Sequence, residues 1–450
     1  MKGSLPVRIV GGGMTGLTLA YKLARRGVAV VVHERDPYLG GLAAEGKLGG
    51  VPVERYYHCV LPTDSALLDL FGELHLSDQV AWTKTRTGFF HERQLLEMTS
   101  AADFARFPAI TRIDRLRLAW TIAYCGYVAN WKTLDREPIS TFLRRHGGER
   151  LFRSIWEPLL MAKLGQDYDR FAASFIWATV FRMLSARRAK GHSEKLGFVK
   201  GRYGKVFQAL RREIEQLGGE VRVGETVTGM DHGGEEWSVV VGEKRLPASS
   251  VVLTVPAPFA AEWVRPFLPE AAAALDRVEY LGVICEVLLL RRSLTPYYVL
   301  NLTDKSLPFT GVIETSNLTG TKEFSGHSLV YIPRYRDQQS PAWNQSDEEI
   351  HVETLAGLRK IVPDLVEADV EAWQVNRARF VQPVHPVGWA EMIPRVELAE
   401  RVHYLATAQI HPWPVFNDEV VRHVDRSLSE ILSFIERRSG HNPARSLVAS

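Results

Sequence analysis

Cysteine is scarce: the chain has three, Cys59, Cys125 and Cys285, among 450 residues. Three cannot build a disulfide framework or a spaced zinc cluster. They fit a reducing compartment. Charge of one sign is lacking too. The formal net charge is +3, too small to argue for a nucleic-acid partner. No stretch reaches about 18 uninterrupted apolar residues, so no transmembrane helix is expected. Internal repeats and low-complexity segments are missing. An apolar strand beginning at Pro6 leaves no room for a signal peptide ahead of it, so a cytoplasmic chain is expected. Against these absences stands an ordinary globular composition, 46% hydrophobic and 24% charged, long enough for two or three domains.

The first 34 residues read as strand, turn, helix, strand. Val7–Val10 and Val28–His33 are apolar runs of the kind buried in parallel sheets. Leu17–Arg26 has helical periodicity and stops at Gly27, a C-cap signal. Residues 64–190 change character, with long helical patterns, many aromatics and arginines, and few strands. A basic connector from Arg187 to Lys205 follows, then a helix to Leu217 and short strands at Glu220–Val223, Trp237–Val241 and Val251–Val255. Residues 278–332 alternate in strand fashion. Val402–Ala406 reads as one more buried strand and Asn417–Arg437 as a final helix.

Gly11-Gly12-Gly13-Met14-Thr15-Gly16 spells G-x-G-x-x-G between the first strand and the helix. Gly11 permits the tight turn, Gly13 lets a pyrophosphate approach the backbone, and Gly16 lets helix and strand pack closely. The helix N-terminus offers free N–H groups to phosphates. Glu34, at the end of the second strand, stands where a carboxylate accepts ribose hydroxyls and disfavours a 2′-phosphate. Strand, helix, second strand and acid at these spacings point to the ADP half of FAD or NAD.

Beyond the turn the sequence resembles the FAD-binding amine oxidase superfamily, which includes monoamine and polyamine oxidases, protoporphyrinogen oxidases, phytoene desaturases and UDP-galactopyranose mutases. The stretches that carry the resemblance are the glycine turn, Glu34, the pair Gly40-Gly41, and Glu54-Arg55-Tyr56-Tyr57-His58. Gly201-Arg202-Tyr203-Gly204 with its helix, Val221–Val227, Val251–Pro256 and Tyr404–Asn417 extend it over nearly the whole chain. It implies an α/β fold: a discontinuous, doubly wound, Rossmann-like FAD-binding domain from residues 1–62, 192–262 and 378–450, and a mixed α+β substrate domain from 63–191 and 263–377. It implies cofactor contacts from Gly11, Gly13, Met14, Thr15, Gly16, Glu34, Arg35, Gly41, Leu42, Tyr57, His58, Thr226, Val227, Pro256, Gln409 and Asn417. FAD is preferred over NAD, because the Gly201–Gly204 turn reads as a helix-start loop closing the same domain. Non-covalent binding is expected, since no cysteine follows Cys285.

The resemblance implies an FAD-dependent oxidoreductase that takes a hydride from a small-molecule substrate to flavin N5. Two alternatives stand beside it: a non-redox flavoenzyme resembling UDP-galactopyranose mutase, and an FAD-bound scaffold without turnover. The chain departs from the family in three places. Leu42 stands where many members carry Arg or Lys. The late glycine-rich motif is replaced by Ala406-Thr407-Ala408-Gln409 and His411-Pro412-Trp413-Pro414. A loose alignment puts Glu286 where monoamine oxidases carry a lysine near flavin N5.

His58 is the candidate catalytic residue, suited to proton transfer, with flavin packing as its other reading. Asn417 reads as an N-cap whose helix aims a positive end at the flavin pyrimidine edge. Arg187, Arg188, Lys190, Lys195, Lys200, Arg202 and Lys205 read as a solvated connector, or as a phosphate or anionic-lipid contact. The helical stretch Phe104–Tyr124 reads as a core helix with snorkelling arginines; peripheral membrane contact is the alternative. His385, His403 and His411 lack ligand spacing, so no metal is expected. Oligomeric state is left open.

Overall fold

The computed structural model describes residues 5–108, 110–166, 168–188, 195–233 and 236–436. Val7–Val10 and Val30–His33 are buried at every position, because a strand in mid-sheet is covered on both faces. They pair in parallel, and Ser250–Leu253 pairs in parallel with the other side of Val7–Val10. The full order is Glu397–Ala399, Val402–Tyr404, Ser250–Leu253, Val7–Val10, Val30–His33, Glu220–Arg222, and only the edge strand Glu397–Ala399 is antiparallel. Segments from the beginning, middle and end of the chain therefore meet in one sheet. Helices Met14–Ala24, Gly204–Gln216 and Asn417–Glu436 cover one face. The meander Val227–Gly233, Glu236–Val241 and Lys244–Ala248 and the helix Ala257–Val264 cover the other.

A second sheet has seven strands in the order Val370–Pro383, Tyr280–Leu290, Ser328–Arg336, Gly311–Glu314, Val299–Leu302, Thr87–His91, Gln94–Glu97. Its pairs are antiparallel except Val299–Leu302 with Thr87–His91. Tyr280–Leu290 is buried throughout. Alternation sends Val283, Cys285, Val287 and Leu289 toward the hairpin Glu45–Leu48/Val51–Glu54, and Ile284, Glu286 and Leu288 toward the helix Asp347–Ile361. The expected boundary between residues 377 and 378 falls inside Val370–Pro383, which bonds along nearly all of Tyr280–Leu290.

Between residues 101 and 188 the chain is mainly helical: Ala101–Arg106, Arg112–Tyr127, Ile139–Leu151, Glu157–Leu164 and Ala173–Arg188. Among the described residues no helix is long and apolar enough to cross a membrane. The expected core helix differs from what is found. Phe107, Ile110 and Leu118 are buried, but Ile113, Leu116 and Trp120 are exposed. The basic connector lies partly outside the described residues. Of its described members, Lys200 donates to the Asp78 carbonyl and Lys205 to Gln79 Oε1.

Three histidines, His385, His403 and His423, are buried. Burial depresses His385 to about 3 and His403 and His423 to about 4. In the unfolded chain they titrate near about 6.5. Below that value the unfolded state binds more protons, so the stability these neutral rings contribute is complete above about pH 6.5 and is lost as pH falls toward 4. Each ring adds up to about 1.4 kcal/mol per pH unit to the slope. Urea denaturation between pH 7 and 5 should show this decline. His403→Leu should reduce the slope by one proton, because both His403 ring nitrogens are buried without partners. An unchanged slope would refute the assignment.

Candidate cofactor and active site

Gly11 has a φ of +118°, a conformation that favours glycine. A Cβ there would lie 2.5 Å from Thr254 Oγ1. Thr254 holds the turn by donating to the Val10 carbonyl at 2.9 Å. A Cβ on Gly16 would lie 1.9 Å from the Gly11 carbonyl oxygen, so helix and turn touch backbone to backbone. Gly13 differs. The nearest atom to its added Cβ is the Gly41 Cα, 3.9 Å away. Gly13 bridges in parallel to Gly40, and the Gly40 N–H donates to the Gly12 carbonyl at 2.9 Å. Two glycine segments from opposite ends of a β–α–β unit thus face each other without side chains. Met14 and Thr15 open the helix above them, with the unpaired N–H groups of a first helical turn.

Glu34 braces this turn. Its Oε2 accepts the Gly12 N–H at 2.7 Å and its Oε1 the Asp36 N–H at 2.9 Å. Burial pushes its carboxyl up, and the two N–H bonds oppose the shift. The Glu225 N–H donates to the Glu34 carbonyl at 2.8 Å and Glu225 Oε2 stands 2.5 Å from His33 Nδ1. These contacts bring exposed Thr226 and buried Val227 beside Glu34. Pro256 caps the helix Ala257–Val264, two residues beyond Thr254. Leu42 sits half-buried in the turn Gly41–Ala43. Arg35 is exposed, with its guanidinium 3.8 Å from Asp36.

The hairpin after the second glycine pair leads to Tyr56, Tyr57 and His58. Glu45 Oε1 accepts the Gly204 N–H at 2.7 Å and Glu54 Oε1 the Tyr203 N–H at 3.0 Å. Two carboxylates therefore cap the helix Gly204–Gln216 and fix the hairpin against it. The His58 ring lies 5.3 Å from the Tyr203 ring. Its Nδ1 stands 3.7 Å from Glu54 Oε2, beyond hydrogen-bond distance, and is buried without a partner. Asn417 sits beside the Tyr203 hydroxyl without a well-formed hydrogen bond to it.

Two expectations are corrected in this region. Asn417 is the first helical residue, and Phe416 takes the N-cap place, its carbonyl accepting the Val420 N–H. Buried Asp418 and Glu419 occupy the first turn and offset the positive helix end expected to act there. Gln409 has no amide group to spare. Its Oε1 accepts the Ala406 N–H and stands 3.1 Å from His423 Nε2, while its Nε2 donates to the Tyr404 and Pro394 carbonyls. Its side-chain amide is engaged within the late segment.

Glu286 requires a third correction. It faces away from the hairpin, with its Oε1 2.5 Å from His351 Nδ1, and His351 stacks on Trp373. Cys285 is the neighbour that packs among Tyr56 and Tyr57. In a strand, neighbouring residues take opposite faces, so Glu286 and Cys285 cannot both meet the tyrosines.

Tyr335 and its cleft escaped the sequence reading. The Tyr57 and Tyr335 hydroxyls are 3.2 Å apart. Tyr335 lines a cleft of about 950 Å³, bounded by the helix Glu157–Leu164, one end of the large sheet and Pro258. Phe171, Tyr280, Phe309 and Phe380 give it apolar walls. Arg336 enters it with no ion pair among the described residues, donating to the Tyr335 and Pro308 carbonyls. Nothing local marks these residues, which come from six separated segments. Tyr203 and Glu54 lay within quoted motifs, yet their pairing is a tertiary contact.

A family model for flavin containing amine oxidoreductase matches residues 14–409. The chain belongs to that family. Its members are FAD-dependent oxidoreductases. Coproporphyrinogen III oxidase of Propionibacterium freudenreichii subsp. freudenreichii is 23% identical over 446 residues, covering 85% of this chain and 82% of the relative. An oxidoreductase from Methanosarcina mazei superposes with a TM-score of 0.74 at 16% identity, covering 94% of this chain and 100% of its own. Reduced UDP-galactopyranose mutase superposes with a TM-score of 0.72 at 13% identity, covering 96% and 94%. At these identities the structural likeness establishes the α/β fold alone.

The two glycines make opposite predictions. Gly16→Val should prevent folding, because its Cβ would meet a carbonyl oxygen. Gly13→Val should fold, since its Cβ meets nothing in the protein, yet should lose flavin. Glu34→Ala should weaken retention less. Circular dichroism with flavin absorbance per chain decides this, and wild-type flavin content in Gly13→Val would sink the cradle assignment.

Proposed function

We propose that this chain holds FAD non-covalently and oxidises a small organic molecule seated in the cleft beside Tyr335. The observation that carries the reading is the contact between the Tyr57 and Tyr335 hydroxyls, 3.2 Å apart. It joins the motif segment ending in His58 to a cleft whose volume of about 950 Å³ suits a small-molecule ligand. The side-chain-free surface that Gly13 and Gly41 form together lets a pyrophosphate approach the backbone, and Glu34 with the turn at Thr226 fits the adenosine end. Tyr57, His58 and Tyr203 stand toward the ring end. Bound FAD supplies the hydride acceptor, and the redox chemistry is its own.

The protein's part is position and proton control. Phe171, Tyr280, Phe309 and Phe380 give the substrate an apolar wall to pack on. Arg170 and Lys305 also line the cleft but are paired with Glu279 and Glu157, so Arg336 is the cation that orients an acidic or carbonyl group of the substrate. His58 is the general acid or base, its buried Nδ1 standing 3.7 Å from Glu54 Oε2. Among the side chains of Tyr280–Leu290 facing Tyr56 and Tyr57 there is no lysine, so amine oxidation through a strand lysine does not follow from this geometry.

Denaturing the purified yellow protein should release FAD; a covalent adduct, or NAD alone, would overturn the cofactor reading. Anaerobic mixing with a metabolite panel should bleach the flavin with at least one compound. His58→Ala should keep FAD bound and slow that bleaching by about 10²-fold or more, the contribution of a general acid or base. A loss of only a few-fold assigns His58 to packing. Turnover that needs pre-reduced flavin and leaves product and substrate at one oxidation level would replace the oxidoreductase reading with a mutase-like one.

A further inference from the structure

The helix Arg112–Tyr127 shows apolar side chains on the face turned to solvent. Leu118, Thr121 and Cys125 face inward and are buried. On the opposite side Ile113 is 62%, Leu116 73% and Trp120 56% exposed, and Tyr127 and Val128 continue the stripe at the helix end. Positions 113, 116, 120 and 127 share one helical face. Scattered exposed apolar residues need no explanation, but a continuous stripe does.

Charge around this face has one sign. Arg112 and Arg117 are exposed on the same helix, and Arg106 and Lys132 are exposed just before and after it in the chain. None of the four makes an ion pair among the described residues. The helix carries one carboxylate, Asp114, which is buried, accepts from Thr111 and stands 3.5 Å from Arg150. A tryptophan and a tyrosine among aliphatic side chains, flanked by unpaired cations, match a helix lying in the headgroup region of a bilayer.

We propose that this face docks the protein on an anionic lipid surface. The stripe is too small for the other obvious occupant, a second copy. From Ile113 to Tyr127 it runs about 21 Å and is one helix, about 10 Å, wide. That footprint, on the order of 200 Å², falls well short of the roughly 800 Å² per partner of a stable protein interface. An acidic bilayer meets both features, accepting the apolar side chains and neutralising the arginines.

The test uses the full chain with FAD bound, floated with vesicles of phosphatidylglycerol and phosphatidylcholine or of phosphatidylcholine alone. Binding is expected to the anionic vesicles and should weaken as salt is raised. Leu116→Glu/Trp120→Glu should reduce it at least tenfold with flavin content unchanged, since both side chains are exposed. Arg112→Gln/Arg117→Gln should reduce it on anionic vesicles. Failure of the parent chain to bind anionic vesicles, or equal binding by the Leu116/Trp120 variant, overturns the proposal. Equal binding to both vesicle compositions overturns its anionic part. A dimer in sedimentation that the Leu116/Trp120 variant dissolves would assign the face to a second copy instead.

Discussion

The backbone contact between Gly16 and Gly11 is the constraint on which the cofactor end depends. Helix Met14–Ala24 can approach the first strand this closely only because neither residue has a side chain there. The approach aims the helix N-terminus at the turn, and it leaves Gly13 as an open shelf above the sheet. Glu34 then closes the turn from the next strand, and the Gly40-Gly41 pair closes the shelf from the far side. A methyl group at Gly16 would displace all of these. One at Gly13 would displace only what binds.

The rest of the site hangs on carboxylates at a helix start. Glu54 and Glu45 accept the Tyr203 and Gly204 N–H groups at the end of the Gly201–Gly204 turn, which pins the hairpin to a helix of the other sheet. Tyr57 and His58 inherit their positions from that clamp. A separate tie joins the helical region to the late segment, where His411 Nε2 stands 2.8 Å from Asp135 Oδ1. The cleft lies between elements held by these contacts, so its shape belongs to several segments at once.

Local pattern was enough wherever a residue's role is decided by its chain neighbours. The glycine turn, the two apolar strands, Glu34 and the last helix all repeat signals within a few residues. The helix Asp347–Ile361 could also have been found, because Ser346 and Glu349 form a capping box written in the sequence. The four-residue strands Gly311–Glu314 and Val299–Leu302 were legible by alternation. The long strand Val370–Pro383 was not, because most of its residues are only partly buried and it shows no clean period of two.

Tertiary structure decided what depends on which face or partner a side chain meets. Glu286 carries the same carboxylate on either side of its strand, and only the register sends it to His351. Gln409 lies in a segment that resembles a cofactor motif, yet four internal partners use its amide. Trp120 and Leu116 have the composition of a core helix, and only the packing of their neighbours turns them outward. Tyr335 meets Tyr57 across 278 residues of chain. The sequence by itself determined the turn, because turns and caps are satisfied by neighbours along the backbone. The cleft and the outward stripe were settled by packing, because burial is a property of surfaces brought together from distant parts of the chain.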